Sequence, residues 1–160
     1  MSKIVNETKK QITESIYAAA QKAVKDGLFD AAELPTFTVE VPANRDHGDY
    51  AVNAAMVWAR AFKKAPRMIA ETLIQCADFS GTYIDRAEVA GPGFINLFLN
   101  DRYYADIVAD VENLGGDYGK SDYGKGQKIL VEFVSANPTG PMHIGNARGG
   151  ALGDSLASVL

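Results

Sequence analysis

The segment from Lys128 to Leu160, KILVEFVSANPTGPMHIGNARGGALGDSLASVL, limits what this chain can fold into more than any other. It opens on an apolar run, Ile129-Leu130-Val131, which resumes after Glu132 as Phe133-Val134. Apolar side chains pointing both ways predict a strand covered on both faces, as in a parallel α/β sheet. Asn-Pro and Gly-Pro pairs between Ser135 and Pro141 cannot continue a strand and predict a turn. From His143 onward, Ala147, Ala151, Leu152, Ser155, Leu156 and Val159 share one side of a predicted helix. Strand, turn and helix in this order set backbone N–H groups and a helix N-terminus where a phosphate can sit. Gly149, Gly150 and Gly153 each cost that helix about 1 kcal/mol against alanine. Close approach of the strand, or of a flat ligand, is the expected compensation.

Around this segment the composition is that of a soluble globular protein, with 47% hydrophobic and 22% charged residues among 160. No apolar run nears the ~20 residues that span a bilayer, and no secretory signal core is present. The expectation is a cytoplasmic chain with no membrane partner. A lone cysteine, Cys76, excludes an internal disulfide and agrees with that setting. Two histidines and one cysteine supply no plausible zinc cluster, so no protein-bound metal is expected. A net charge of −4 confines any nucleic-acid contact to a local patch. The chain stops at Leu160 inside a periodic apolar helix without a cap, which reads as a truncation.

Taken in order, residues 3–26 predict a long amphipathic helix with Val5, Thr8, Ile12, Ile16, Ala19, Ala20, Ala23 and Val24 inward, stopped at Gly27. Thr36–Val41 alternates as a half-buried strand. The polar loop Asn44–Asp49 follows, with His47 expected at the surface or capping a helix. A helix from Tyr50 to Phe62 should bury Val52, Ala55, Met56, Ala59 and Phe62, and another from Pro66 to Ala77 should bury Ile69, Leu73 and Cys76. Between them Arg60, Lys63, Lys64 and Arg67 form the clearest cationic cluster in the chain. Such a cluster suits a solvated helix end, and it also suits an RNA backbone.

Strands at Tyr83–Val89 and Phe94–Leu99 flank the turn Ala90-Gly91-Pro92-Gly93. In the second, Ile95, Leu97 and Leu99 predict the core face, while Phe94, Asn96 and Phe98 point the other way. Aromatics beside an amide can stack on an unpaired base and read its edge, unless a helix covers them. A last N-terminal helix, capped by Asp101, should turn Tyr104, Ile107, Val108, Val111 and Leu114 inward. Five glycines in residues 115–126 then mark a linker. The fold expected is α+β over 1–114, with an antiparallel sheet and helices. The first strand and helix of a truncated Rossmann-like α/β domain follow in 127–160.

The string VEFVSANPTGPMHIGNARGGALGDSL resembles the signature segment of class I aminoacyl-tRNA synthetases, in the form found in arginyl-tRNA synthetases. Glu132-Phe133-x-Ser135-x-Asn137-Pro138-Thr139-Gly140-Pro141 carries the arginyl form, and His143-Ile144-Gly145 the class motif. Asn146 stands where the class has a second histidine; an amide can donate a hydrogen bond but carries no proton or charge. The first hundred or so residues resemble that family's N-terminal extra domain.

The resemblance implies an arginine–tRNA ligase that uses ATP, with Mg2+, as a substrate, and of which this chain alone is inactive. It implies ATP contacts from His143, Gly145 and Asn146, with His143 and Asn146 catalytic. Glu132 and Asn137 would hold arginine, and Phe94 and Asn96 would contact the D-loop of tRNA(Arg). An orphan strand at Lys128–Val134 should also invite a dimer through residues 127–160. A related nucleotidyltransferase with the short histidine motif, or an RNA-binding module without catalysis, remains the alternative.

Overall fold

The computed structural model describes residues 3–122, 124–137 and 139–160. Pro138 of the predicted turn and Tyr123 of the glycine-rich stretch lie outside them. The chain forms two compact units, 1–119 and 120–160.

In the first unit, α1 (Lys3–Lys25) buries Thr8, Ile12, Ile16, Ala19, Ala20 and Ala23, the stripe that a 3.6-residue period predicts. α2 (Ala54–Phe62) and α3 (Pro66–Cys76) pack with it on one face of a four-stranded antiparallel sheet. The strands are β1 (Val39–Glu40), β2 (Tyr50–Val52), β3 (Ile84–Ala90) and β4 (Phe94–Leu99), in the order β1-β2-β4-β3. Ile95 and Leu97 of β4, with Val52 of β2, close the core against Ile12, Ile16, Trp58, Ile69 and Leu73.

Three expectations are corrected here. Tyr50–Val52 belongs to the sheet and not to the following helix: Tyr50 pairs with Leu97 and Val52 with Ile95, both antiparallel. A three-residue strand is too short to show its alternation, and its apolar residues merge into the helical pattern beyond it. The strand expected over Thr36–Val41 is only Val39–Glu40, which pairs with Val52 and Ala51 of β2. In α4 (Asp101–Leu114) the cap is Asn100, whose side chain accepts from the Tyr103 N–H at 3.3 Å. Its buried residue is Tyr103, while Tyr104, Val108, Val111 and Leu114 are exposed. Periodicity reports which face of a helix is apolar, not whether this unit covers it.

The start of α4 is tied to the sheet by Asp49. One carboxylate oxygen accepts the Leu99 N–H at 2.8 Å and the other accepts the Tyr104 hydroxyl at 2.5 Å. That hydrogen bond, with some burial, pushes the Tyr104 phenol up to about 12. Gly48 just before it has φ of +85°, and a Cβ there would lie 2.6 Å from the Leu97 carbonyl oxygen. Gly48→Ala should therefore cost roughly 2 kcal/mol through left-handed strain and crowding of β4. Urea unfolding of the 160-residue chain measures it, and an unchanged midpoint would contradict it.

In the second unit, α5 (Ile144–Val159) forms as expected, but residues 128–134 do not form a strand. Leu130 there is 94% exposed, against the expectation of a strand buried on both faces. A strand exists only with a partner to bond, and this unit has no second one among its described residues. Of the three glycines expected to have a close neighbour, Gly150 and Gly153 do, and a Cβ on Gly149 would meet nothing within 4 Å. A Cβ on Gly150 would meet the Val134 side chain at 3.1 Å, and one on Gly153 would overlap the Phe133 ring. Phe133 and Val134 are thus the close approach that the glycines predict.

Candidate functional site

The sheet face away from α1–α3 is built by register. Asn96 of β4 lies opposite Ala51 of β2 and Glu88 of β3, and Ala51 lies opposite Glu40 of β1. Directly opposed residues share a face, so Glu40, Ala51, Asn96 and Glu88 form one row across the sheet. Phe98 opposite Arg86, and Phe94 opposite Ala90, form the rows on either side. Glu40, Arg86 and Glu88 are exposed, so this face meets solvent.

Phe94 and Phe98 are half-buried, and Asn96 between them is only 6% exposed. The Asn96 amide makes no hydrogen bond among the described residues, yet none of its polar atoms is fully buried. Its tip is therefore what remains open at the bottom of the row. The Arg86 guanidinium lies 3.5 Å over the Phe98 ring and touches the Glu88 carboxylate. The face thus offers an amide between two aromatic rings, one of them capped by a guanidinium. Stacking and hydrogen bonding to an unpaired base need such groups. Arg86 escapes the sequence reading because its role depends on the pairing with Phe98; charged residues alternating through β3 were the available signal.

In the second unit His143 is the N-cap of α5. Its Nδ1 accepts the Gly145 N–H at 3.1 Å, and its own N–H donates to Oδ1 of Asn146, also at 3.1 Å. This reciprocal cap fixes chemistry. An Nδ1 that accepts must be unprotonated, so the ring proton of the neutral imidazole sits on Nε2, which is left free to donate. Asn146 does its part with a carbonyl oxygen, for which no histidine proton is required. A Cβ on Gly145 would lie 2.9 Å from Cε1 of His143, so glycine is what lets the ring cap the helix.

His143 and Asn146 line a concavity of about 380 Å³ with Asn137, Thr139 and Gly140. Glu132 and Asn137 are both exposed; Asn137 lines that concavity, while Glu132 does not. Val134, between them, has φ of +57°, so the segment turns away from extended geometry just past Glu132.

An antiparallel sheet backed by helices in one unit and a histidine-capped helix start in the other belong to a chain that comparison with known proteins places among the aminoacyl-tRNA synthetases, and the same comparison specifies which. Residues 9–99, more than half of the chain, match the family described as the arginyl tRNA synthetase N terminal domain. The arginine–tRNA ligase of Acetivibrio thermocellus is 51% identical over 100% of this chain and 28% of its own length. That of Caldanaerobacter subterraneus subsp. tengcongensis is 50% identical over the same shares. The crystal structure of arginyl-tRNA synthetase from Plasmodium falciparum superposes on 92% of this chain and 27% of its own, with a TM-score of 0.57 and 23% identity, and so supports the fold. The chain belongs to the arginyl-tRNA synthetase family. It spans 28% of the length of the curated relatives it matches.

Proposed function

We propose that this chain carries the N-terminal domain and the first catalytic segment of an arginine–tRNA ligase. In that reaction the arginine carboxylate attacks the α-phosphate of ATP and displaces pyrophosphate; a hydroxyl of the tRNA 3′ end then attacks the carbonyl of the arginyl-adenylate, takes the arginyl group and releases AMP. The observation that carries the reading is 51% identity to such a ligase over the whole chain, the motif segment included. In this reading residues 127–160 begin a Rossmann-like domain that becomes a true sheet once further strands pair with 128–134. Residues 115–126 link it to the domain of 1–114.

The protein's contribution to adenylate formation is position and charge stabilisation. The free Nε2–H of His143 and the N–H groups opening α5 would meet ATP phosphates, with the Gly145 N–H holding the ring and Asn146 holding the His143 backbone. Glu132 and Asn137 would hold arginine. ATP enters with Mg2+ on its phosphates; among the described residues no group of three or more His, Cys, Asp or Glu is gathered to hold an ion. No described helix is long and apolar enough to cross a membrane, and a cytoplasmic place fits the reading. Unpaired edges in 127–160 would let the isolated chain dimerise there.

Phe94 and Asn96 would contact an unpaired base of tRNA(Arg). Charging assays with the full-length protein test this. Phe94→Ala and Asn96→Ala should each raise the tRNA KM by the worth of one stacked base, roughly 1–3 kcal/mol, while arginine and ATP constants hold. Residues 1–160 alone should form no arginyl-tRNA. Charging by that chain, or unchanged tRNA constants in both variants, would refute the respective part.

A further inference from the structure

We propose that the corner between α2 and α3 is the phosphate-gripping flank of the sheet face, holding the tRNA backbone beside the nucleotide that Phe94 and Asn96 meet. The inference rests on the tRNA reading of that face and adds a second, electrostatic element to it.

Two observations place the corner there. The first is contact. A Cβ on Gly93 would lie 2.8 Å from the carbonyl carbon of Pro66, and Gly93 immediately precedes Phe94. The backbone that opens α3 therefore touches the turn from which the aromatic end of the face begins. The second is charge. Arg60, Lys63 and Lys64 are exposed and have no ion-pair partner among the described residues, whereas Arg67 pairs with Glu71 at 3.2 Å. In a chain of net charge −4, three unpaired cations within five positions concentrate positive potential near the Gly93 end of the sheet, whose outer face itself carries Glu40 and Glu88 with Arg86 as its one cation among the described residues. A base at Phe94 and Asn96 would thereby have its phosphate toward the Gly93 end, beside these cations.

Lys63 adds a third sign. It closes α2 in the left-handed conformation, φ 51° and ψ 37°. Glycine is the ordinary occupant of such a position, and a side chain there is strained. Local cost of this kind accompanies function when the surroundings hold it in place. It also supplies a clean variant, because Lys63→Gly removes the charge while relieving the backbone.

The experiment uses the full-length protein and an arginine-accepting tRNA transcript, with binding measured across a salt series. Lys63→Gly combined with Lys64→Ala should weaken binding about tenfold at low salt. Two lost phosphate contacts should flatten the slope of log K against log salt by about 1.5. Arginine and ATP binding should hold, and the thermal midpoint should not fall. Phe94→Ala in parallel should weaken binding with the slope unchanged, since stacking releases no counterions. An unchanged slope in the lysine variant alongside a weakened Phe94→Ala would overturn the corner and spare the sheet face. If neither variant changes binding, the face itself is not the tRNA site and the proposal goes with it. An effect of the lysines alone would also overturn it, because the corner would then grip RNA without flanking that face. A lowered thermal midpoint with intact tRNA binding would assign the cations to the rest of the protein.

Discussion

Trp58→Ala should destabilise the first unit by roughly 3–5 kcal/mol, the largest loss expected from any single truncation in this chain. The indole is fully buried, the largest side chain that is. Its ring meets Tyr17 at 5.3 Å, Phe37 at 5.2 Å edge-on and Phe62 at 6.2 Å edge-on. Its N–H donates to the Pro35 carbonyl oxygen at 2.8 Å, tying the irregular stretch before β1 to α2. Truncation thus opens a cavity among three aromatic rings and leaves the Pro35 carbonyl only its long bond from the Tyr17 hydroxyl, 3.5 Å. Trp58→Phe separates the terms: it keeps much of the packing and should lose about 1 kcal/mol through the hydrogen bond. Urea unfolding with an unchanged slope reads both, and a Trp58→Ala loss under 1 kcal/mol would mean that the core closes without the indole.

That residue also shows where the sequence was opaque. A helix begun at Tyr50 places Val52, Met56 and Ala59 inward and assigns Trp58 no place. With Tyr50–Val52 drawn into the sheet, the helix starts at Ala54 and buries Ala54, Ala55, Trp58 and Phe62 instead. The cause is tertiary: β4 has an open edge on that side, and three residues suffice to pair with it. Long periodic elements such as α1 were legible because their stripe repeats over many turns. β4 was legible by its alternation, and its outward face of Phe94, Asn96 and Phe98 could be read directly. What could not be read was the depth of Asn96, since Ala51, the facing rows and the Arg86 lid are set by register.

In the second unit the motif string was legible and its local geometry was not. Residue types predicted a helix start suited to phosphate. The reciprocal cap between His143 and Asn146 depends on ring and amide orientation, which no pattern reports. The glycines of α5 were the more informative signal, because Phe133 and Val134 do pack where Gly153 and Gly150 leave room. The strand failed for the opposite reason. Hydrophobic alternation or runs describe a strand's faces, whereas its existence depends on hydrogen-bonding neighbours.

Glu132→Gln in the full-length protein should lower kcat/KM for arginine by roughly 3–5 kcal/mol, about 150- to 5,000-fold, with ATP affinity kept. Glu132 is the one charge in the apolar run from Ile129 to Val134, and here it is exposed. Completion of the sheet by further strands would bury the run around it, at the carboxyl end where ligands of α/β sheets sit. A carboxylate in that position is unfavourable unless paired, and a guanidinium offers two parallel N–H donors to its two oxygens. Glutamine keeps the shape and one acceptor but loses the charge and the second acceptor. Citrulline, the neutral isostere of arginine, tests the pairing as a competing ligand. The wild type should bind it far more weakly than arginine, and Glu132→Gln should narrow that gap by most of the arginine loss. Equal effects on the two ligands would mean that the carboxylate never meets the guanidinium. Glu132 would then be holding a lysine or arginine elsewhere in the folded enzyme, and the specificity for arginine would have to come from other residues.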